Sequence, residues 1–459
     1  MSVLIKSRIS LLVSMVALGL SGTIAHAKVT ESEAQQLGQS LTALGAEKKA
    51  NADGSIPAWQ GGITQPPAEY SVGDHHLDPY SDDKKLFEIT SQNYKQYEKL
   101  LTPGQIALFN TYPDSFIMPI YQTHRSASQP NYVYKATKAN ALTAELVDSG
   151  EGVKGAATGI PFPIPKSGLE AIWNHILRFR GTDIARWGGQ ASPTASGDYT
   201  FIGFEEEVMT DYSRESATPE NLAQTNIISM FKQKVTSPSR LKGTALLVHE
   251  TLNQVKQPRQ AWTYNTGQRR VRKAPNIAFD APGTASDGLR TTDEFDMYNG
   301  SPGRYDWKLI GKQELYIPYN NYALHQEGID YDDILKPGHI NPELTRYEKH
   351  RVWVVEANLK SGMRHIYKKR VFYIDEDSWQ ISVVDTYDNR DSLYRVNFTY
   401  VINYYEVPTL WSTLDVYHDL NSRRYLALGL DNNEKMYDFS VDLDTGDFTP
   451  QALRREGLR

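Results

Sequence analysis

The densest group of potential metal ligands in the sequence is the stretch DHHLD, in which His75 and His76 lie between Asp74 and Asp78. Adjacent histidines on a loop point apart more often than they converge, and a metal site also needs ordered groups that hold its ligands. The stretch NADGS, residues 51–55, begins like a calcium-binding loop but lacks the closing glutamate. We therefore predict no metal and no other cofactor.

His175 is the best candidate for a catalytic base, and it follows Trp173 and Asn174 in a predicted helix. It could act only if a partner approached from elsewhere in the fold, because no nucleophile motif lies near it. The alternative is a hydrogen-bonded, partly buried histidine. Since no catalytic motif is found, we expect a protein that is not an enzyme.

A basic hairpin tip stands out in a chain whose formal net charge is −6. The stretch GQRRVRK places Arg269, Arg270 and Arg272 close together. Such a tip is either solvated surface or a docking point for anionic head groups or an acidic partner. The acidic balance of the whole chain argues against nucleic acid as a partner.

The first residues have the pattern of a secretory signal peptide. Lys6 and Arg8 precede an apolar run over residues 9–20, and the small residues up to Ala27 form a cleavage site. We expect cleavage after Ala27 and a periplasmic mature chain, with full secretion as the alternative that the signal leaves open. The run is too short to span a bilayer. Cysteine is absent, which excludes disulfides and a lipid-modified cysteine.

The predicted organisation is one structural domain with two regions. Residues 28–198 form an N-terminal region of helices and Pro/Gly-rich loops that packs on a sheet, and residues 199–459 form the sheet. Apolar residues at helical spacing predict helices over residues 31–49, 82–101 and 169–177. The third has the sharpest signals, because Ser167 and Glu170 have the spacing of a capping box.

Strand signals dominate after residue 199, and about ten strands are predicted between Thr200 and Thr449. They include a hairpin around Thr266 and Gly267, a three-strand meander over residues 351–385 and a late pair over residues 435–449. Consecutive strands usually pair. We therefore predict an α+β fold with one large, curved antiparallel sheet, an incomplete β-barrel lidded by helices.

Residues 378–402, SWQISVVDTYDNRDSLYRVNFTYVI, alternate apolar and polar side chains over two predicted strands. In the second strand Val396, Phe398 and Tyr400 share one face, opposite Arg395 and Asn397. Such alternation is typical of a sheet with one covered and one solvated face. The cover is either a helix of the same chain or a bound molecule.

Aromatic residues are the strongest signal for a binding site. Phe, Trp and Tyr make up 11% of the chain, and Trp262, Trp307, Trp353 and Trp379 occupy predicted strand positions. Core packing explains each of them singly. The alternative is a concave face too wide for its own helices to fill, which leaves an apolar cavity of the size typical of ligand sites.

Several stretches resemble the hallmarks of the domain of unknown function 1329 family, a periplasmic family of proteobacteria. They are LTALGAEKKANADGSIPAWQGG, YSDDKKLFEIT, GIPFPIPKSGLEAIWNHILRFRG, GLRTTDEFDMYNGSPGRYDWKLIGKQELYIPYN and RYEKHRVWVVEANLKSGMRHIYKKRVFYIDEDSW. The resemblance implies a fold more than a function. It also implies two partners, an outer-membrane protein and a transporter of the resistance-nodulation-division type.

The stretch AWTYNTGQRRVRKAP is similar to the hairpin of outer-membrane lipoprotein-sorting proteins. Those proteins resemble the periplasmic lipoprotein carrier and receptor, whose incomplete antiparallel barrel is lidded by helices and holds acyl chains. The likeness implies that Trp262 and Tyr264 lie on a barrel wall. It also implies that the helix from Leu169 to Leu177 is one of the lids.

From these patterns we expect a periplasmic carrier of a hydrophobic, lipid-like molecule that shuttles between an inner-membrane transporter and the outer membrane. The alternatives are a periplasmic hydrolase of lipids or glycans, which needs converging carboxylates, and a docking or assembly factor for an outer-membrane barrel, which needs a filled interior. The residues expected to line the cavity are Phe162, Leu169, Trp173, Ile176, Trp262, Tyr264, Trp307, Trp353, Trp379 and Phe398. Head-group or partner docking is assigned to Arg269, Arg270 and Arg272.

Overall fold

The computed structural model describes residues 29–274 and 279–457. The α-helices in these residues are α1 (Glu31–Ala34), α2 (Pro103–Thr111), α3 (Asn131–Thr143), α4 (Gly168–Leu177), α5 (Pro219–Thr225), α6 (Tyr331–Ile334) and α7 (Pro450–Gly457). Among the described residues, no helix has both the length and the apolar character that crossing a membrane requires. The predicted signal peptide, residues 1–27, lies outside the described residues.

Strands make up most of the remaining regular structure. They are β1 (Phe87–Ile89), β2 (Met118–Ile120), β3 (Glu145–Val147), β4 (Gly152–Lys154), β5 (Asp183–Ala191), β6 (Ile202–Met209), β7 (Ile227–Val235), β8 (Ala245–Thr251), β9 (Gln260–Asn265), β10 (Arg270–Lys273), β11 (Tyr305–Pro318), β12 (Tyr347–Leu359), β13 (Lys369–Asp375), β14 (Ile381–Tyr387), β15 (Leu393–Tyr404), β16 (Thr409–Asp419) and β17 (Arg424–Leu430). β3 and β4 form a separate hairpin, and the other 15 strands form one large sheet.

The large sheet is open and is built mostly from consecutive hairpins. Its order is β1-β2-β12-β13-β14-β15-β16-β17-β5-β6-β7-β8-β9-β10, with β11 also paired to β12. β17 joins the two halves by pairing with β5, where Ala427 lies opposite Ala191. The ladder pairs are antiparallel except for one parallel contact between Tyr347 of β12 and Ile120 of β2. The predicted α+β class and incomplete barrel are confirmed.

Two predicted strand groups are present and one is not. The hairpin around Thr266 and Gly267 forms β9 and β10, and the meander forms β12, β13 and β14. The late pair over residues 435–449 is a wrong prediction, since this segment contains one bridge, from Asp438 to Ala185, and a 3-10 turn over Thr445–Asp447. Its backbone bonds to the start of β5 instead of to itself.

Two of the three predicted helices are also wrong. In residues 31–49 only α1 is helical, and Gly38 and Gly45 then adopt φ values of 86° and 95° that a helix does not allow. Gly45 approaches Pro163 so closely that a Cβ would lie 1.8 Å from its carbonyl oxygen. In residues 82–101, β1 pairs with β2 and 3-10 turns follow. Tertiary contacts override helical spacing in both segments.

The third predicted helix is α4, which lies on β11 and β12. Ser167 Oγ accepts a hydrogen bond from the Glu170 N–H at 3.2 Å, as the capping pattern predicts. The Glu170 carboxylate accepts from the N–H of Lys166 and not from that of Ser167. Nine of the ten residues of α4 are buried, so this helix is part of the interior.

β14 and β15 are buried on both faces, so the predicted solvated face is wrong. On the apolar face, Val396 and Phe398 share a core cluster with Leu108 of α2, so the cover is a helix of the same chain. On the polar face lie residues 279–301, here called the covering loop, where Asn397 Nδ2 donates to Glu294 at 2.9 Å. The alternation of apolar and polar side chains in β14 and β15 therefore separates two faces that are both covered but differ in polarity.

We expect Trp379→Ala to lower the free energy of unfolding by about 3–5 kcal/mol, the usual cost of truncating a large buried aromatic side chain. Trp379 is fully buried, stacks on Trp353 with 6.1 Å between ring centroids, and donates from Nε1 to the Leu44 carbonyl at 2.9 Å. Urea unfolding followed by circular dichroism measures the change. Leu86→Ala is the control, because Leu86 is 61% exposed. Equal stability of the two variants would contradict this packing.

Candidate functional site

A cavity of about 270 Å³ lies between one face of β5–β9, the C-terminal half of α4 and the covering loop. Because side chains alternate along a strand, alternate residues of β8, such as Leu246 and Val248, line it. Its apolar lining consists of Trp173, Ile176, Ile184, Val208, Ile228, Phe231, Leu246, Val248, Phe295 and Trp411. The volume is near the lower end of the range typical of ligand pockets, about 300–1,000 Å³.

Four arginines line the same cavity, although the chain as a whole is acidic. Three of them have carboxylate partners: Arg180 pairs with Asp296, Arg186 with Glu206 and Arg259 with Glu250. The fourth, Arg290, forms no ion pair with any described residue. The lining of the cavity therefore combines apolar side chains and one arginine without an ion pair to a described residue with neutral polar side chains such as Ser229, Gln233 and Thr263.

Arg290 is only 6% exposed, and its hydrogen bonds are incomplete. Nη1 donates to the Thr291 carbonyl at 3.2 Å, and Nε has no partner among the described residues. The guanidinium carbon lies 5.6 Å from the ring centroid of Phe295 and 5.9 Å from that of Tyr417. Ring faces at these distances attract the cation but do not neutralise its charge. The guanidinium of Arg290 thus has N–H groups that can still donate hydrogen bonds to a molecule in the cavity.

Asp296 ties the covering loop to α4 and to the turn before β14. Arg178 Nη2 lies 2.5 Å from Asp296 Oδ1 and also 2.5 Å from Gln380 Oε1. Burial acts to raise the pKa of Asp296, but the charges of Arg178 and Arg180 hold it well below its usual value. Asp296 is therefore ionised, and its charge is used by two guanidiniums.

His175 is a buried, hydrogen-bonded histidine in this structure. Nδ1 lies 3.2 Å from the Ile381 nitrogen and 3.1 Å from the Trp379 carbonyl oxygen, and Nε2 lies 2.9 Å from the carbonyl oxygen of Asp296. Burial, and then the charge of Arg178, lower the pKa of His175 to about 3. A neutral imidazole bonded on both sides holds α4 against the covering loop and β14.

A smaller pocket of about 40 Å³ adjoins the cavity and shares Arg186, Phe295 and Trp411 with it. Asp415 and Asp296 both line this pocket. Burial, and then the charge of Asp296, raise the pKa of Asp415 to about 7, while Ser412 Oγ donates to it at 2.7 Å. Neighbouring carboxyl groups whose pKa values are pushed apart are an arrangement that acid–base catalysis uses.

The ten residues predicted to line a cavity are spread over the fold. Trp173 and Ile176 line the cavity described above. Leu169 lies at the first turn of α4, beside Gly150. Four others belong to or pack against the core cluster around α4: Phe162, Trp307, Trp353 and Trp379.

The remaining three predicted cavity residues lie elsewhere. Trp262 and Tyr264 belong to a cluster that packs on the C-terminal helix α7, and Phe398 lies on the side of α2. Ligand contact by any of the ten residues stays a prediction. The predicted docking residues are exposed around the β9–β10 turn at the edge of the sheet: Arg269, Arg270 and Arg272.

The histidines of DHHLD join a hydrogen-bonded chain and do not converge on one point. His76 Nδ1 lies 3.0 Å from His325 Nε2, and His76 Nε2 lies 2.8 Å from Glu406. His325 Nδ1 is 3.0 Å from Asp431. Burial, and then the charge of His75, lower the pKa of His325 to about 3. This chain connects the loop to the strands beneath it.

A different group has metal-ligand residue types close together: His350, Asp375 and Asp377, whose ligand atoms lie within 4.8 Å of one another. Sequence reasoning did not find it, because β12 supplies His350, the end of β13 supplies Asp375 and the turn after β13 supplies Asp377. Asp377 is already held by Arg125 at 2.6 and 2.8 Å, and Asp375 accepts from Ser378 at 2.5 Å. Because these side chains already have protein partners, we interpret the group as an anchor for the N-terminal region, to which Arg125 belongs.

Sequence reasoning also missed Arg290, Phe295 and Asp415. Arg290 and Phe295 lie in a loop without periodicity, where their neighbours cannot be inferred from spacing. The sequence does carry a weak signal for the neighbouring ion pair of Glu206 with Arg186. In β6, Phe204, Glu206 and Val208 alternate on one face. An acidic residue between apolar ones on such a face predicts a buried partner.

We expect Asp415→Asn to remove part of the pH dependence of stability. The pKa of Asp415 is raised from 3.8 to about 7 in the folded protein, so between these pH values the folded state binds more protons than the unfolded chain. The free energy of unfolding of the wild type therefore falls as pH rises through this window, by on the order of 1 kcal/mol per pH unit. The variant should lack that decrease.

Urea unfolding at several pH values measures the difference, which should grow up to about pH 7 and then stay constant. The exposed Asp114→Asn is the matched control and should follow the wild type. Parallel stability curves for Asp415→Asn and wild type would contradict the raised pKa.

Comparison with known proteins places this chain in a family. The family described as "Protein of unknown function (DUF1329)" matches residues 88–454. An uncharacterized protein of Pseudomonas aeruginosa is 52% identical over 454 residues, which are 99% of each chain.

The solved structures that this chain matches include three that share little sequence with it. A putative outer membrane lipoprotein-sorting protein domain from Vibrio parahaemolyticus is 13% identical, covers 63% of this chain and 98% of its own, and has a TM-score of 0.44. A DUF1329 family protein from Desulfovibrio piger is 15% identical, with 60% and 92% covered and a TM-score of 0.40. A LolA superfamily protein from Nitrosomonas europaea is 13% identical, with 60% and 93% covered and a TM-score of 0.35. Because the match to the family spans most of the sequence, the chain belongs to the DUF1329 family.

Proposed function

We propose that the protein is a periplasmic carrier, which binds a hydrophobic, lipid-like molecule and shuttles it between an inner-membrane transporter and the outer membrane. The observation that carries the proposal is the apolar cavity of about 270 Å³ between the open sheet, α4 and the covering loop. The signal-peptide pattern of residues 1–27 supports the periplasmic location in this proposal.

Burial of apolar surface would hold the molecule, at about 25 cal/mol per Å² or about 0.8 kcal/mol per methylene. An engineered apolar cavity of about 150 Å³ holds benzene. This cavity is larger, so it suits a longer guest such as part of an acyl chain. The branched and aromatic walls, Ile184, Val208 and Phe231 among them, contact such a chain without requiring a hydrogen bond.

Release requires one wall of the cavity to move. α4 is an unsuitable moving part, because nine of its ten residues are buried. The covering loop is held to the sheet by polar contacts, such as Glu294 with Tyr367 at 3.0 Å and Asp293 with Arg370 at 2.6 Å. A partner that binds better when the loop is displaced would shift the population toward release.

A hydrolase is the second candidate, and the pocket with Asp415 and Asp296 is the observation that favours it. Asp415 would be the proton donor, since its pKa is raised to about 7, and the ionised Asp296 would be the base. However, Asp296 is held by Arg178 and Arg180, which makes it a weak base. The carrier is preferred for this reason. An assembly factor needs a filled interior, which the cavity does not favour.

The proposed partners are an outer-membrane protein and a resistance-nodulation-division type transporter. The basic tip formed by Arg269, Arg270 and Arg272 would dock to anionic head groups or to an acidic partner. Two observations support this role: the three side chains are exposed, and none of them forms an ion pair with a described residue.

Val248→Trp tests the carrier proposal, because Val248 lines the cavity and a larger ring would occupy it. We expect the wild type, purified without detergent, to carry a lipid in about one-to-one ratio and to bind the neutral probe N-phenyl-1-naphthylamine. The variant should lose both properties while keeping its circular dichroism spectrum. Mass spectrometry of an organic extract and probe fluorescence provide the two measurements.

Val255→Trp is the matched control, since Val255 is 57% exposed and lies outside the cavity. It should bind like the wild type. Probe binding that is unchanged in Val248→Trp would place the ligand elsewhere, and a wild type without lipid or probe binding would count against a carrier.

Changing Arg269, Arg270 and Arg272 together to glutamate should spare probe binding and weaken association with phosphatidylglycerol vesicles. The physical reason is reversal of charge at an exposed tip, whose attraction to an anionic surface is worth about 1 kcal/mol per basic residue. Flotation of vesicles with bound protein measures the effect. If the variant and the wild type float with the vesicles equally, the tip is only a solvated surface and has no docking role.

A further inference from the structure

We propose that the cargo is an anionic amphiphile, and that Arg290 binds its acidic group while the apolar cavity holds its chain. The inference rests on the proposed carrier function and adds the chemical class of the ligand. The acidic group is a carboxylate or a phosphate ester, since a guanidinium pairs with either through two parallel hydrogen bonds.

The first argument is the state of Arg290 itself. Its side chain is buried, yet among the described residues it has no carboxylate partner, and Nε has no hydrogen-bond acceptor. A buried charge without a partner is strongly unfavourable, so proteins rarely retain one without a role. The bond from Nη1 to the Thr291 carbonyl satisfies only part of the donor capacity of this group.

The second argument is the contrast with the other arginines of the cavity, Arg180, Arg186 and Arg259. Each of these has a carboxylate within ion-pair distance. Arg186 lies 5.8 Å from the ring centroid of Phe295, and Arg290 lies 5.6 Å from the same ring. Two guanidiniums therefore flank one aromatic side chain at the cavity, and among the described residues only Glu206 forms an ion pair with either of them. An anion from the ligand would complete this arrangement.

The third argument is that a glycine at this point of the covering loop makes room for the guanidinium beside the cavity. Gly283 donates its N–H to the Arg290 carbonyl at 2.9 Å, and a Cβ at Gly283 would lie 2.7 Å from Arg290 Nη2. Gly283, Arg290 and Phe295 all line the cavity with the apolar strand residues. A head group at Arg290 would thus be continuous with a chain among Val208, Phe231 and Val248.

The test compares two probes that differ only in charge, 11-(dansylamino)undecanoic acid and its methyl ester. With the full mature chain we expect the acid to bind more tightly than the ester, by about tenfold or more. Arg290→Met should reduce binding of the acid to the level of the ester and leave the ester unchanged. Arg290→Lys, which keeps the charge without the planar fork, should retain an intermediate preference.

Arg390→Gln is the matched control, because it removes one exposed guanidinium in the turn between β14 and β15, outside the cavity, and should change neither probe. Equal binding of acid and ester to the wild type would overturn the anionic ligand and leave the carrier standing, whether or not the Arg290 variants fold. Failure of both probes would overturn the carrier and this inference together. Displacement of the acid by millimolar inorganic phosphate would assign Arg290 to a free anion and overturn the amphiphile.

Discussion

Burial of charged groups between the sheet and the covering loop is the constraint on which the rest of the structure depends. Asp293, Glu294 and Asp296 are all buried, within four consecutive residues of the chain. A buried carboxylate is strongly destabilising unless it is paired and hydrogen-bonded. Their partners come from separate elements: Arg370 of β13, Asn397 of β15 and Arg178 after α4. The path of the loop is set by where those partners lie.

The cavity follows from this path. The covering loop is held closely over β13–β16, where the sheet offers polar partners. It also spans the face of β5–β9, where Gln190 donates to the Thr284 carbonyl at 2.9 Å and Asn299 donates to Glu250 at 3.0 Å. Between these two contacts the sheet presents apolar side chains such as Val208, Phe231 and Val248. Space is therefore left between loop and sheet, and α4 closes one side of it with Trp173 and Ile176. Arg290 lines this space without an ion pair to a described residue, because the acidic residues nearby are already engaged by other groups.

Much of the fold could be predicted from the sequence because its signals are local. The capping residues Ser167 and Glu170 start α4, and the turn at Thr266 and Gly267 closes the β9–β10 hairpin. The pairing of neighbouring strands then follows. The predictions for residues 31–49 and 82–101 were wrong for the opposite reason. Their apolar residues have helical spacing, but Gly45 packs on Pro163 and β1 pairs with β2, contacts that spacing cannot encode.

The candidate site was predicted less well than the fold. Helical periodicity placed Trp173 and Ile176 on a buried face, and they do line the cavity. Trp262 and Tyr264 have an equally strong strand pattern, yet they pack on α7, because alternation identifies two faces without naming what covers each. Arg290 carried no local signal at all. Arg290 differs from the other arginines of the cavity because the carboxylates near it are paired with other residues.

The sequence by itself determined the composition of the protein, its family, the predominance of antiparallel strands and the position of α4. These properties depend on residues close together in the chain or on side-chain alternation. Only the tertiary structure decided which sheet face is filled by α2, which is covered by the loop, and where space remains. Those outcomes depend on contacts between residues more than a hundred positions apart, such as Asp296 with Arg178 and Gly104 with Asp385. Packing and charge compensation select them only when the chain is folded.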